Sequence, residues 1–182
     1  MQIRPFRSED SRELYAAAWE SEAALCATMT WFRPDYTLRH ASVFVGQSAT
    51  DWASDARYDF AIIDAANGTL CGSVGLSQID RRHKLANVGF WVRRSRVGHG
   101  IATAAVQLIV DFGLTTLGLS RLEFLVAQSN QASQRVAAKV GAKLEGILRK
   151  RLTLCGAPED ALLFSLLKED RQNGVRRRVR AR

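Results

Sequence analysis

The sequence is short of cysteine and proline, with three of each in 182 residues. Cys26, Cys71 and Cys155 are odd in number, far apart in the chain, and lack both CxxC spacing and a nearby histidine pattern. No disulfide framework or metal site is expected from them; they read as small buried thiols in a reducing compartment. No run approaches the roughly 18 apolar residues of a membrane span. The opening MQIRPFRSEDSREL carries charge early and has no apolar core, so a signal peptide is not expected and a cytoplasmic location is. GxxxxGK[ST] is also missing, which removes a P-loop.

What is present is ordinary for a globular domain: 47% hydrophobic and 24% charged residues. The net charge of +8 is unevenly placed. Five positive charges, Arg176, Arg177, Arg178, Arg180 and Arg182, fall in the tail from Gly174, so the rest of the chain carries +3. Residues 1–173 are expected to form one domain, and 174–182 a basic, disordered tail. Such a tail could contact RNA or a ribosome, or simply be solvated.

Hydrophobic periodicity orders the elements. IRPF (3–6) reads as a first strand. SEDSRELYAAAWESEAALCATM reads as a helix capped by Ser8, with a break near 19–21, and 38–54 as a second helical region. The period then changes to that of strands: 58–65, a turn at Asn67-Gly68, 69–80, and 85–93. A helix over 101–117, a strand over 121–127, a helix over 129–142 and two final strands, 142–154 and 160–168, complete the order. This is a mixed α/β (α+β) sheet in which three antiparallel strands precede a strand–helix–strand–helix run.

RRSRVGHGIATAA (93–105) places Gly98 and Gly100 between a strand and an alanine-rich helix. A dinucleotide fingerprint does not fit, because Thr103 stands at the third glycine and the preceding strands are antiparallel. Two readings stay open for the loop alone: a tight strand-to-helix turn, or amides presented to an anion at a helix N-terminus.

Residues 58–168 resemble the GNAT acetyltransferase superfamily. Its [Q/R]xxGx[G/A] motif falls on Val97, Gly98, His99, Gly100, Ile101 and Ala102, with Val97 as the departure. A second block, NQASQRVAAKVGAKLEG, matches the family's Nxx[A/S]…GFxxEG pattern at Asn130, Ser133, Gly141, Glu145 and Gly146. The N-terminal ESEAALCATMTW is similar to the ribosomal-protein N-terminal acetyltransferases of the RimJ/RimL type at Glu20, Ser21, Leu25, Met29 and Trp31, with Thr28 in place of a tryptophan.

The resemblance implies a seven-stranded, mostly antiparallel twisted sheet, flanked by helices and splayed between its fourth and fifth strands. It implies acetyl-CoA as co-substrate, held by residues 97–102, by Phe90, Val92, Asn130 and Ser133, with Arg93, Arg94 and Arg96 near its phosphates. A bulge at Phe90–Val92 is expected to turn the Val92 N–H toward the acetyl oxygen, leaving Trp91 as a core aromatic on the other face. The tyrosine that protonates the departing thiolate in many relatives is replaced by Ala137, so Ser133 inherits that role. Asn130 and Ser133 each have a plainer alternative, a helix cap and a helix-face serine. Glu22, Met29 and Trp31 are expected to meet the acceptor.

No base is evident. The positions where relatives carry an acid correspond to Asn87 and Leu152, and Asp80, His83 and Glu22 are the remaining candidates. The expected acceptor is a protein or peptide α-amine, which at pH 7 is roughly 10–20% neutral, against about 0.04% for a lysine. Two other readings are kept: transfer to a small amine such as a polyamine or antibiotic, and a CoA-binding protein that docks on RNA through the arginine tail. Monomer and homodimer are both compatible with the sequence.

Overall fold

The computed structural model describes residues 1–171, so the basic tail and its assignment lie outside the described residues. The chain runs β1 (Gln2–Pro5), α1 (Asp10–Glu20), α2 (Glu22–Thr28), α3 (Leu38–Ala53), β2 (Tyr58–Ile63), β3 (Leu70–Asp80), β4 (Leu85–Val92), α4 (Ile101–Asp111), β5 (Arg121–Ala127), α5 (Gln131–Lys139), β6 (Lys143–Leu154) and β7 (Ala157–Leu167). Seven strands form one sheet in the order β1-β2-β3-β4-β5-β7-β6. Among the described residues only β4 and β5 pair in parallel, and they do so over three positions, Leu85↔Arg121 to Asn87↔Glu123. Beyond Asn87 the two strands diverge, which is the expected splay.

The sheet is covered on both faces because its strands alternate. Tyr58, Phe60 and Ile62 of β2 join Val106, Ile109 and Val110 of α4 in one cluster. Ala61 and Ile63 face the other way, against Leu14 and Ala18 of α1 and Val45 of α3. A side-chain period of two thus feeds two cores.

Local expectations meet mixed outcomes: the break near 19–21 holds, and others are corrected. Ser8 does not cap α1, since its hydroxyl donates to Glu9 at 3.2 Å. Asp10 organises that turn instead, accepting from Arg7 N–H at 2.8 Å and from Arg4 at 2.6 and 2.8 Å. The break between α1 and α2 falls at Ser21, whose hydroxyl donates to Ala17 O at 2.8 Å and accepts from Arg94 N–H at 3.0 Å. The helix expected over 101–117 widens into a π turn at Phe112–Thr116. Gly113 lies there so close to the sheet that a Cβ would come within 3.1 Å of Leu122 and 3.2 Å of Leu76. The β6–β7 turn uses Cys155 and Gly156, both at positive φ (47° and 78°), the pattern of a tight hairpin. That turn also brings Cys155 Sγ to 2.9 Å from Cys26 Sγ, so two of the cysteines are neighbours in space.

Candidate functional site

The splay opens into a cavity of about 890 Å³ that runs along the α1–α3 face of the sheet. Of the expected site residues it is lined by Met29, Trp31, Phe90, Asn130 and Ser133, together with Asn87 and Leu152. Glu22, Val92 and residues 97–102 are not part of this wall. Glu22 is exposed on α2, and Val97 to Gly100 are exposed on the loop after β4. Asp80 and His83 pair with each other in the β3–β4 turn, Nδ1 to Oδ2 at 2.8 Å, away from the cavity.

The expected bulge in β4 is not there. Register runs unbroken from Gly72↔Val92 to Ser77↔Asn87, and the irregularity lies in β3, where Gln78 has φ 51°. The splay makes a bulge unnecessary. Arg93 N–H donates to Cys71 O at 2.8 Å, so alternation along an antiparallel ladder sends the N–H groups of Val92, Phe90 and Val88 to the opposite edge. That edge faces β5: the last parallel pair, Asn87↔Glu123, takes the Val88 N–H, and beyond it pairing has stopped. Two backbone donors, Phe90 N–H and Val92 N–H, therefore line the opening. Trp91 points to the other face, 8% exposed, with its ring centroid 6.0 Å from that of Trp31.

Just after β4, Gly98 and Gly100 have φ of 88° and 76°, and Gly100 is the residue before the first turn of α4. A Cβ at either would meet nothing within 4 Å, so both glycines serve conformation rather than space. The first helical bond here is Ala104 N–H to Gly100 O at 3.1 Å. The amides of Ile101, Ala102 and Thr103 are therefore free of intrahelical partners, at the positive end of the helix dipole. Such a helix start is suited to an anion. Of the arginines expected nearby, Arg93 and Arg96 are committed elsewhere. Arg93 pairs with Glu20 at 2.5 Å, and Arg96 with Asp64 at 3.2 Å. Arg94 is exposed.

Across the opening, Asn130 precedes α5, and its Oδ1 accepts from Ser133 N–H at 3.0 Å. The capping reading of Asn130 is thus realised in the structure, while the side chain also reaches the cavity wall. Ser133 is half-buried, and its hydroxyl makes no hydrogen bond within the described residues. Glu145, matched by the resemblance, is engaged structurally. It accepts from Arg121 at 2.8 and 2.5 Å and from Ser165 at 2.6 Å, which holds its carboxyl at about 2.

Sequence reading missed Tyr36 and Asp59, both in the cavity wall. Burial pushes the Tyr36 phenol up to about 12, so it stays a neutral donor at working pH. Asp59 was visible as an acid inside the otherwise apolar strand YDFAII, a pattern that calls for an explanation. Among the described residues no cluster of His, Cys, Asp and Glu could hold a metal, and no helix is long and apolar enough to cross a membrane.

Residues 1–143 match the Acetyltransferase (GNAT) domain family. The chain is 38% identical over 117 residues to the probable N-acetyltransferase YjcK of Bacillus subtilis (strain 168), covering 64% of this chain and 65% of that protein. It is 25% identical over 168 residues to the spermidine N(1)-acetyltransferase of Escherichia coli (strain K12), covering 92% and 86%. The first-matching curated relatives are aligned over less than two thirds of their length. Mycobacterium smegmatis RimJ in complex with CoA-disulfide superposes with a TM-score of 0.85 at 26% identity, over 92% of this chain and 82% of that one. With a splayed parallel pair, two free β4 amides and a glycine turn opening α4, the chain belongs to the GNAT acetyltransferase family.

Proposed function

We propose that the protein is an acetyl-CoA-dependent N-acetyltransferase whose acceptor is the α-amine of a protein or peptide. One observation carries the reading: the cavity joins the splay to a mouth of aromatic side chains without collecting acidic charge. Its wall holds Arg33, Arg57 and Arg151 against Asp51 and Asp59, with Trp31, Tyr36 and Phe44 between them. A polycation gains little from such a wall, whereas one amine on a mostly neutral chain is accommodated.

In this reading the pyrophosphate of acetyl-CoA lies on the first-turn amides of α4, and the pantetheine arm runs along the free edge of β4. The amides of Phe90 and Val92 face that arm, and Val92 N–H holds the thioester oxygen as it gains charge. The amine attacks the carbonyl carbon, the tetrahedral adduct expels the thiolate, and Ser133 Oγ–H supplies a proton to sulfur. Met29 and Trp31 border the acceptor's approach.

A small amine acceptor is the second reading, favoured by the likeness to a spermidine acetyltransferase over 92% of the chain. Thiol release from acetyl-CoA is the decisive measurement, with a panel of α-amine peptides, spermidine and an aminoglycoside. Turnover on peptides at least tenfold above the small amines is expected. The reverse order would overturn the acceptor class.

A further inference from the structure

Asp59 has no part in the steps above, yet its side chain is only 4% exposed and lies in the cavity wall. Alternation along β2 turns it away from the Tyr58 and Phe60 side and toward the helices α1–α3. Arg57 Nε lies 2.5 Å from its Oδ2, so a partly exposed arginine balances the charge of the buried carboxylate. A buried carboxylate paired this way is a poor contribution to stability. The sheet makes special room for it. Asp59 pairs with Gly75, where a Cβ would come within 2.5 Å of Oδ1. Gly75 in turn pairs with Gly89 of β4, which has nothing within 4 Å of a Cβ position.

Asp59, Gly75 and Gly89 thus form one row across three strands, two of its positions without side chains. Ser73 and Trp91 flank the row on one side, Ser77 and Asn87 on the other, and all four line the cavity. The result is a groove with a carboxylate at one end and the free edge of β4 at the other. Strands lie about 4.8 Å apart, so its length is about 10 Å. That is the reach of about three hydrogen-bonded waters.

We propose that Asp59 is the proton acceptor of the transfer, drawing the proton from the acceptor ammonium through water in this glycine-floored groove. The inference rests on the transferase reading above. The ammonium gives one proton to the carboxylate, and the freed amine's lone pair forms the C–N bond. The C–S bond breaks with its electron pair on sulfur, which Ser133 protonates. The amide nitrogen's second proton restores Ser133, and Asp59 returns its proton to solvent through the cavity mouth. The charged groups facing Asp59 are Arg57, just before β2, and Asp51 of α3, with His40, Arg33 and Arg151 further round the wall. Burial raises its carboxyl above the ordinary value and Asp51 adds to this, against the pull of Arg57, which makes it a stronger base than an exposed aspartate.

The test is Asp59→Asn in the full chain, with acetyl-CoA and the acceptor from the panel that the wild type uses best. Turnover at pH 6.5 should fall about 10–100-fold, at or below the lower limit of the roughly 10²–10⁴-fold that a general base supplies, with the Kd for acetyl-CoA unchanged. The deficit should shrink toward nothing as pH passes the acceptor's own pKa, about 8 for an α-amine, since the amine is then already neutral. Gly89→Leu, which plugs the groove from the β4 end, should show the same pH-dependent deficit. A deficit of equal size at every pH, or none, would overturn the proposal. So would a raised KM confined to acceptors with a second positive charge, which would make Asp59 a cation anchor. If spermidine proves the acceptor, the α-amine reading fails separately, and the Asp59 deficit should then persist to about pH 10.

Discussion

Arg93 Nη2 lies 2.5 Å from Glu20 Oε2, joining the end of α1 to the backbone that leads into the glycine loop. Glu20 Oε1 also accepts from Ser95 N–H at 2.8 Å, and the neighbouring Ser21 hydroxyl accepts from Arg94 N–H. Three contacts from one helix end thus set the course of residues 93–95, ahead of the amides that are proposed to hold acetyl-CoA. An arginine expected to touch phosphate is instead part of the loop's foundation.

Glu20→Gln should therefore weaken acetyl-CoA binding by about 3–10-fold without emptying the site, since charge-assisted bonds are replaced by weaker neutral ones. Calorimetric titration with CoA checks this. The pH sign follows from the Arg93 and Ser95 bonds, which hold the Glu20 carboxyl at about 2. A lowered folded value means its contribution to stability is complete above about pH 4.5 and is lost as pH falls toward 2. Glu145, held equally low by Arg121 and Ser165, titrates in the same direction. A wild-type melting temperature that stays level from pH 6 to 5 and falls below pH 4 is expected, with a shallower fall in Glu20→Gln.

Gly100→Val tests the anion site through conformation. At φ 76° a β-branched residue is strained, although nothing within 4 Å obstructs its Cβ. The turn should shift and misdirect the first amides of α4, lowering CoA affinity at least tenfold while the far-UV spectrum and cooperative melting persist. Unchanged affinity in the folded variant would remove residues 97–102 from the cofactor site.

The succession of strands and helices along the chain and the glycine turn were legible because each has a local signature: alternation, an Asn-Gly pair, small residues before an alanine-rich helix; the seven-stranded sheet and its splay were expected only through the family resemblance. What was not legible depends on pairing across the sheet. Asp59, Gly75 and Gly89 lie in three separate strands, and only register aligns them. Cys26 and Cys155 are 129 positions apart and meet only because a two-residue hairpin brings β6 past α2. Arg93 looked like a phosphate ligand by position, and its partner Glu20, 73 residues earlier, carried no signal linking the two. The expected bulge failed for a related reason: the direction of an N–H on β4 follows from where β5 departs, which no segment of β4 encodes.

Asp59→Asn should cost little or no stability even where it costs activity. Its folded carboxyl lies above the ordinary value through burial, so its favourable contribution is complete below about pH 3.9 and is lost as pH rises through the folded value. As pH rises the fold is therefore asked to hold a charge it would be better without. The amide variant should melt at the same temperature as wild type or a few degrees higher at pH 7, with the gap closing below pH 4. A clear loss of stability at pH 7 would mean that the Arg57 pair holds the sheet together.

Ser133 decides between chemistry and packing at the other wall of the cavity. Its N–H is taken by Asn130 Oδ1 at 3.0 Å, which fixes the first turn of α5, while its hydroxyl is half-buried at the cavity and uncommitted. A serine that served only to cap or pack would have that hydroxyl bonded back to the helix, as Ser21 does to Ala17 O at 2.8 Å. Ser133→Ala keeps the backbone bond to Asn130 and removes only the Oγ. Acetyl-CoA affinity should then stay within about twofold of wild type. General-acid losses run about 10²–10⁴-fold, but a thiol with a pKa near 8.5 is a fair leaving group without help. The expected fall in kcat is accordingly about 10–100-fold on the best acceptor. Acceptors should all suffer alike, because the lost proton goes to sulfur and not to the amine. Full turnover in this variant would pass the role to Tyr36, whose buried phenol faces the same cavity, and the double variant with Tyr36→Phe would then show the loss that Ser133→Ala did not.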